Sequence, residues 1–536
     1  MPTTQTHIAL PRAKTPEAVG VSSAEVLAFL REVEEARLEL HSFMVLRHGQ
    51  VAAECFRAPF RAEYNHQMWS VSKSVTATAI GFAIYDGLLT LDTRVLDIFP
   101  EYAPNRTDYA LEKLTVRHLV SMTSGKSPPY LSPKGANVDW LRTYMEASWY
   151  NDPGAEFRYI NENFYVLCAI LVRVTGQSVL RYLTPRLFVP LGIENPFWET
   201  DNWGIEAGGW GFYAKTEDLA KLMLCYQQGG QFAGKQVIPA AWAREAVRLQ
   251  TPCVGLHSSC NAGYGFGFWR NPADRAGDGY RANGMFCQFG INFSDYDAVF
   301  VCNSAVTDEE VVHQLIWKHF PAAFFDGDAP QTAEHFADTL GASRYEAPPP
   351  VSVRSPLEPQ ITGRRILLQR KRLLQLIHFP VGVLPVIVTA KTAVLPRQIS
   401  NITLDFAPDA LHFSWHEGHE ENRVTCGMDG TTHSDTIRLG GIDYRTLSHA
   451  LWQDEGTLDV HIRAVETIAA QRLRFVFGKK GKVTMQSLSS PPIEDILGFL
   501  TEGAVFLFKF KPLLALIRWA LRQLPKFIEP VHKGWY

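Results

Sequence analysis

Two hydrophobic periodicities alternate along the N-terminal part of the chain. Residues 21–37 repeat apolar side chains with helical spacing, whereas 41–56 alternates apolar and polar positions around His48 and Gly49, which predicts a β-hairpin. Helical patterns continue to about residue 250 and return later in the chain. The strand patterns between them are 264–270, 280–292 and 298–302, and the returning helix is 309–320. This order favours one antiparallel sheet built from both ends with an inserted helical lobe, a mixed α/β arrangement of the α+β kind.

The pattern changes after residue 345, so that 1–345 is predicted to be one domain. Prolines at 348–350 and 356 predict a linker over 346–365. Short apolar runs separated by turn residues then predict an all-β domain, a barrel or a sandwich, over 366–490. Its predicted strands are 401–406, 411–415, 458–465, 473–477 and 483–488. Residues 491–536 predict a basic amphipathic helical tail, because 513–524 segregates apolar side chains from arginines.

Composition narrows the class of protein only a little. The 536 residues are 46% hydrophobic and 20% charged, which is typical of a globular protein with large cores. A net charge of −3 gives no global attraction for nucleic acid. The 8 cysteines form no C-x-x-C pair, and no secretory signal is visible, so a cytoplasmic location is expected. No uncharged apolar run of about 18 residues predicts a membrane-spanning helix.

The strongest chemical signal is a serine followed three positions later by a lysine. Ser70 and Lys73 precede the helical pattern at 75–85. Positions i and i+3 share a helix face, so the Lys73 amine can lie beside the Ser70 hydroxyl. A desolvated lysine can remove the serine proton and make the oxygen nucleophilic. This S-x-x-K spacing is the first signature of the penicillin-recognising serine enzymes.

Two further segments could complete such a site. Tyr159 and Asn161 form the single Y-x-N of the chain. Tyr159 could pass a proton to a leaving group, and Asn161 could hold Lys73 and a substrate carbonyl. Gly284 and Met285 lie in a predicted strand, where glycine permits close approach and a backbone N–H can bind an oxyanion. Taken singly, these patterns also fit a buried tyrosine before a helix and an edge strand with a turn glycine.

Together the three elements resemble the serine β-lactamase and penicillin-binding-protein superfamily, and especially its class C β-lactamase-like and esterase branch. The resemblance covers about residues 15–325, with further similar segments at 115–125, 175–178, 187–192, 208–214 and 218–220. It implies the β-lactamase/transpeptidase-like fold, with helices flanking an antiparallel sheet. It also implies Ser70 as nucleophile, Lys73 with Tyr159 as general base and acid, and an assisting Asn161. The backbone N–H groups of Ser70 and Met285 would form the oxyanion hole.

One position departs from the β-lactam-handling members of that superfamily. They carry a lysine or histidine, which helps to bind the substrate carboxylate, where this chain has Ala282. The neighbouring Arg281 alternates to the other strand face. The expected function is therefore a serine hydrolase that acts on a carboxylic ester or small amide through a Ser70 acyl-enzyme, without metal or organic cofactor. Alternatives are an acyltransferase with the same acyl-enzyme, a β-lactamase-like or D-amino-peptidase-like activity, and a non-catalytic scaffold that retains the fold.

A histidine-rich segment of the C-terminal region could suggest a metal site. The candidate ligands are His412, His416, Glu417, His419 and Glu420, together with Cys426. Its spacing is not H-E-x-x-H, so a strand that runs into a solvated polar turn is favoured over a metal site.

The partner expected for this chain is a small-molecule ester or amide substrate. Arg364, Arg365 and 370–372, with the basic tail, could contact an anionic membrane surface. A solvated charged face over a packed apolar one is the favoured interpretation. Peripheral membrane contact through the tail and a homo-oligomer remain open alternatives.

Overall fold

The computed structural model describes residues 8–103, 108–127, 138–253, 262–369, 379–381, 399–417, 419–496, 529 and 531–536. The chain divides into two compact units, Met1–Tyr345 and Glu346–Tyr536.

The N-terminal unit is organised around one large antiparallel sheet. The strands of the whole unit, in chain order, are β1 (Leu40–Arg47), β2 (Gln50–Phe56), β3 (His66–Gln67), β4 (Lys126–Ser127), β5 (Ser148–Trp149), β6 (Phe197–Trp198), β7 (Phe212–Ala214), β8 (Gln231–Phe232), β9 (Lys235–Gln236), β10 (Gly263–Tyr264), β11 (Trp269–Arg270), β12 (Gly279–Gly284), β13 (Gln288–Phe293) and β14 (Ala298–Ser304). The large sheet has the order β10-β11-β12-β13-β14-β1-β2, so strands from both ends of the unit form one sheet, as the sequence predicts.

Helices precede, interrupt and follow these strands. They are α1 (Ser23–Glu35), α2 (Ser72–Tyr85), α3 (Val95–Ile98), α4 (Tyr109–Lys113), α5 (Val116–Val120), α6 (Trp140–Met145), α7 (Glu162–Thr175), α8 (Val179–Leu183), α9 (Val189–Leu191), α10 (Thr216–Gln227), α11 (Ala240–Val247), α12 (Ala273–Ala276), α13 (Glu309–Ala323) and α14 (Phe336–Ala342). Most of them lie between β2 and β10, which confirms the predicted helical lobe.

The large sheet is buried on both faces. Every residue of β1 is buried, and its side chains alternate between two cores. Met44 and Leu46 join the core that includes α2 and α7, whereas Phe43 joins the core of α1 and α13. In the second core Phe29 packs edge-on against Phe43 at 5.4 Å between ring centroids. The predicted hairpin at 41–56 is confirmed as β1 and β2, of which β1 is buried throughout and β2 is partly exposed at Gln50, Glu54 and Phe56.

The predicted strand at 280–292 is wrong, because the structure divides it into a hairpin. β12 and β13 pair in antiparallel fashion on either side of a turn at 285–287. Phe286 and Cys287 adopt φ angles of 62° and 64°, in the left-handed region. Residues other than glycine, asparagine and aspartate are uncommon there, so the sequence carries no recognisable turn signal.

The C-terminal unit is a ten-stranded sheet that closes on itself. The unit contains α15 (Glu358–Ile361), β15 (Arg365–Leu368), β16 (Ile399–Phe406), β17 (Ala410–Glu417), β18 (Glu420–Gly427), β19 (His433–Leu439), β20 (Ile442–Trp452), β21 (Thr457–Ala464), β22 (Ala470–Phe477), β23 (Lys482–Ser490) and β24 (His532–Trp535). A bridge between Gly427 and His449 joins β18 to β20 and completes the closure. The all-β prediction is confirmed in its closed form, with side chains of alternate strand positions filling the interior.

Two predicted segments of this region differ from the structure. The linker prediction at 346–365 is wrong in part, because Val351 and Val353 bridge to Asp429 and Trp452, and α15 follows. The tail prediction at 491–536 is wrong at its end, because β24 pairs with β15 and β23. The helical pattern at 513–524 and the basic cluster at 370–372 lie outside the described residues.

Within the described parts, no single helix has the length and apolarity of a membrane span. One pair, Glu162–Thr175 and Val179–Leu191, meets both criteria only when taken together, and it is bent by 68°.

Candidate active site

Ser70 is held at the start of α2 by a tightly bonded backbone turn. It is the middle residue of a short 3-10 turn that runs into α2. Trp69 before it has a φ of 47°, and the Ser72 hydroxyl donates a hydrogen bond to the Trp69 carbonyl at 2.5 Å. The Phe212 N–H in turn donates to Ser72 Oγ at 3.1 Å, and Met68 N–H donates to the Phe212 carbonyl. The half-buried Ser70 hydroxyl therefore lies at a defined position at the helix N-terminus.

The Lys73 amine lies directly beside that hydroxyl. Its Nζ is 2.8 Å from Ser70 Oγ, 2.8 Å from Asn161 Oδ1 and 2.6 Å from the Gly209 carbonyl oxygen. The Lys73 side chain is 1% exposed. The predicted i, i+3 geometry is thus present, and Asn161 holds the lysine as the sequence analysis expects.

These three contacts suit both protonation states of the lysine. An ammonium group can donate one N–H to each of the three oxygens. A neutral amine can donate two N–H groups to Asn161 and Gly209 and direct its lone pair at the Ser70 hydroxyl. Transfer of the Ser70 proton to Lys73 therefore leaves no hydrogen-bonding group of the amine without a partner.

Burial shifts this lysine toward the neutral form. Desolvation lowers the pKa of Lys73 well below its usual value of 10.5, and the negative charge of Glu162 opposes the shift only in part. A neutral amine at physiological pH is what a general base for serine activation requires.

The Gly209 carbonyl reaches Lys73 because residues 208 and 209 are both glycines and their backbone packs directly against α7 and the residue before it. A Cβ on Gly208 would lie 2.2 Å from the Phe164 carbonyl oxygen, and a Cβ on Gly209 would lie 2.6 Å from the Asn161 carbonyl oxygen. Any larger residue would push this segment away from α7 and from the amine. This segment belongs to the family resemblance of the sequence, but the role of Gly209 could not be predicted, because a backbone acceptor has no sequence signature.

The aromatic ring of Tyr159 also lies beside the Lys73 amine. The Lys73 Nζ lies 4.7 Å from the centroid of the Tyr159 ring. Trp269 stacks on that ring at 5.3 Å with an interplanar angle of 25°, and Tyr264 meets it edge-on. The aromatic ring is therefore fixed beside the amine, and no motif in the sequence indicates Trp269 as its neighbour.

The third predicted element lies next to the Ser70 turn. A Cβ on Gly284 would be 2.4 Å from the Met68 carbonyl oxygen, so β12 approaches the segment before Ser70 as closely as backbone allows. Phe286 packs edge-on against Trp69 at 5.3 Å. Met285 follows Gly284 at the β12–β13 turn, where a backbone N–H can face the Ser70 turn.

Ala282, at the expected carboxylate-binding position, and its neighbour Arg281 face opposite sides of β12. Ala282 is fully buried in the core that includes α2 and α7. Arg281 points to the other face, where its Nε donates to Asn283 Oδ1 at 3.1 Å and one of its terminal amino groups donates to the Arg270 carbonyl. The predicted alternation is present, and the Arg281 guanidinium serves the framework of the sheet.

The histidine-rich segment belongs to strands rather than to a compact ligand set. His412, His416 and Glu417 lie in β17, and Glu420 begins β18. Among the described residues, no group of three or more histidine, cysteine, aspartate or glutamate side chains is placed to hold a metal ion.

Comparison with known proteins assigns the N-terminal unit to a family. Residues 30–318 match the Beta-lactamase family, which is more than half of the chain. The chain therefore belongs to the Beta-lactamase family, as the resemblance in its sequence predicts.

Named relatives carry hydrolase activities. The 6-aminohexanoate-dimer hydrolase of Paenarthrobacter ureafaciens is 27% identical over 231 residues, which are 40% of this chain and 59% of that protein. Esterase EstB of Burkholderia gladioli is 25% identical over 210 residues, or 34% of this chain and 53% of that protein. The chain thus spans little more than half the length of either relative.

A solved structure shares the fold. The "Putative 6-aminohexanoate-dimer hydrolase" from Bacillus anthracis superposes with a TM-score of 0.50 at 20% identity, over 59% of this chain and 88% of that one. At this identity the similarity shows the fold alone, and it confirms the predicted β-lactamase/transpeptidase-like architecture.

The buried lysine predicts a pH dependence of turnover. A lysine that acts as a general base is active in its neutral form, and burial lowers the pKa of Lys73. The value of kcat/KM should therefore rise with pH through the folded-state pKa of Lys73, below 10.5. Lys73→Arg should lose at least about 100-fold at every pH, because a guanidinium stays protonated. The measurement is kcat/KM for an ester substrate across pH.

Lys126 provides the control, because burial also lowers its pKa, to about 8, while it donates to the Met145 and Ala147 carbonyls. Lys126→Met should leave the rise of kcat/KM at the same pH as in wild type. A rise that moves to another pH in Lys126→Met but persists in Lys73→Arg would contradict the assignment of this pH dependence to Lys73.

Because β12 closely approaches the Ser70 turn, activity should depend on the absence of a side chain at Gly284. Gly284→Ala should lower kcat/KM by about 10- to 100-fold, because the new methyl group meets the Met68 carbonyl and displaces the strand from the Ser70 turn. Gly341→Ala in α14 is the matched control, since a Cβ there meets nothing within 4 Å. Steady-state kinetics and melting temperatures of both variants test this. Equal kinetics for the two variants would show that the approach is unimportant.

Proposed function

We propose that the protein is a serine hydrolase that forms an acyl-enzyme on Ser70 with a carboxylic ester or small amide. The observation that carries the proposal is the buried Lys73 amine, 2.8 Å from Ser70 Oγ and bonded to Asn161 and Gly209. A lysine held in this way has no evident structural reason to be desolvated, whereas serine activation requires it. The names of the relatives, a hydrolase and an esterase, support the same reaction class.

The proposed reaction begins with transfer of the Ser70 proton to Lys73. Ser70 Oγ then bonds to the substrate carbonyl carbon, and the carbonyl oxygen becomes an oxyanion stabilised by the backbone N–H groups of Ser70 and Met285. The bond to the leaving group breaks as Lys73 or Tyr159 returns a proton to it. Water, deprotonated by the same groups, then attacks the acyl-enzyme, releases a carboxylic acid and restores Ser70.

The substrate that we propose is uncharged near the scissile bond. Ala282 offers no cation, and Arg281 is directed away into a network with Asn283 and the Arg270 carbonyl. A substrate carboxylate would find no charge-assisted hydrogen bond from these two positions. Esters and small amides without a carboxylate are therefore favoured over penicillins and cephalosporins.

Acyl transfer is the second candidate reaction of the same site. It differs only in the group that attacks the acyl-enzyme, so an added alcohol or amine would appear in the product. Product analysis with and without such acceptors separates the two reactions.

We further propose a reducing, cytoplasmic setting. All seven described cysteines are free thiols, and six of them are buried. Thiol labelling of the unfolded protein isolated under alkylating conditions would reveal any disulfide that contradicts this.

The nucleophile assignment predicts a covalent adduct. Wild-type protein should gain one fluorophosphonate group by mass spectrometry and should hydrolyse p-nitrophenyl esters. Ser70→Ala should lose the adduct and at least about 1,000-fold of the turnover, because no other group replaces the nucleophile. Ser434→Ala, at an exposed serine of β19, should behave as wild type. Turnover that survives in Ser70→Ala would exclude this nucleophile.

The missing cation predicts a substrate preference. The value of kcat/KM for p-nitrophenyl butyrate should exceed that for p-nitrophenyl hemisuccinate by at least about tenfold, or about 1.4 kcal/mol, because the carboxylate would lose hydration without gaining a charged partner. A cephalosporin such as nitrocefin should be slower still. Equal values for the neutral and the anionic ester would contradict the proposed substrate class.

A further inference from the structure

A fully buried glutamine lies under the turn between β12 and β13. The two N–H groups of Gln288 Nε2 lie within hydrogen-bond distance of three carbonyl oxygens, of Met285 at 3.2 Å, Phe286 at 3.0 Å and Ser304 at 2.7 Å, so that one N–H is shared between two of them. Its Oε1 accepts from Asn303 Nδ2 at 3.0 Å and from the Ser304 N–H at 3.3 Å. Both ends of the amide are therefore satisfied, and the side chain has one orientation that fits.

The turn above Gln288 adopts a backbone conformation that its own residues disfavour. Phe286 and Cys287 are both left-handed, with φ angles of 62° and 64°, although neither is glycine or asparagine. Such a conformation persists where surrounding contacts determine it. The amide of Gln288 supplies contacts of this kind, because it binds the carbonyls of Met285 and Phe286 on the inner side of the turn.

The same buried network reaches the segment that carries Ser70. Asn303, which donates to Gln288, also places its Nδ2 3.6 Å from the Met68 sulfur. On the opposite side of the turn, Gly284 leaves no room for a Cβ against the Met68 carbonyl. The network therefore links the two backbone segments whose N–H groups would bind an oxyanion.

We propose that Gln288 is a positioning residue, which sets the orientation of the Met285 N–H relative to Ser70 by holding the carbonyls of the β12–β13 turn. This inference rests on the proposed acyl-enzyme function. Gln288 contacts no reacting atom, so its contribution is to the transition state through the turn and not to substrate binding.

Two substitutions and one matched control test the role. Gln288→Met keeps the approximate volume but removes both N–H donors. Gln288→Glu keeps the shape and replaces the amide with a carboxyl group that donates one hydrogen bond when protonated and none when ionised. Asn292→Asp is the control, because Asn292 is also fully buried, lies on the same face of β13, and bonds Ser294 instead of the turn.

Both Gln288 substitutions should lower kcat for ester hydrolysis by about 10- to 100-fold and change KM by less than about threefold, since a displaced oxyanion donor affects the transition state. For Gln288→Glu, the ratio of its kcat to that of wild type should fall as pH rises, because ionisation removes the remaining donor. Asn292→Asp should keep kcat within about threefold of wild type at each pH.

Hydrogen exchange measured by mass spectrometry gives a readout that needs no turnover. Amides of residues 284–288 should exchange faster in Gln288→Met than in wild type, and those in the control should not. Unchanged kcat and unchanged exchange in Gln288→Met would overturn the inference, as would a loss carried by KM alone. A wild-type protein without Ser70-dependent turnover would instead refute the proposed function, and the exchange data would still decide whether Gln288 holds the turn.

Discussion

The burial of one lysine amine is the constraint on which the N-terminal unit depends. Lys73 reaches Ser70 within one helix turn, but its other two partners, Asn161 and Gly209, lie 88 and 136 residues further along the chain. A buried amine without acceptors would be costly, so three distant segments must meet at one point. The glycine at 209 is required there because its Cβ would collide with the Asn161 carbonyl. The lobe inserted between β2 and β10 supplies both distant partners.

Burial of the Lys73 amine lowers the stability of the folded N-terminal unit. Desolvation lowers the pKa of Lys73, so the folded protein favours a neutral amine that the unfolded chain would protonate below pH 10.5. The contribution of Lys73 to the free energy of unfolding therefore falls as pH falls below 10.5. The two cores on either face of the large sheet offset that cost, with aromatic contacts such as Phe29 against Phe43 far from the site. Rigid packing around a reactive group is what keeps such a group at its working distance.

The parts of the site that sequence predicts are those formed by local chemistry. The i, i+3 spacing of Ser70 and Lys73 specifies their contact through helix geometry alone, and the fold class follows from strand patterns at both ends of the unit. The hairpin inside 280–292 could not be predicted, because Phe286 and Cys287 are not residues typical of a turn, and the buried Gln288 amide that contacts the turn carbonyls has no sequence signature. Strand β19 of the C-terminal unit could not be recognised in the sequence, because most of its residues are polar and exposed.

The Lys73 amine and its partners belong to different elements from the strand that carries Ala282. Lys73 and its partners belong to α2, the start of α7 and the Gly209 segment, none of which includes β12. Along β12, alternation places Ala282 in the core shared with α2 and α7, and directs Arg281 to the opposite face. The side chain at 282 therefore makes none of the contacts that hold the Lys73 amine. The residue at 282 and the contacts of Lys73 with Ser70, Asn161 and Gly209 are therefore set by separate parts of the fold.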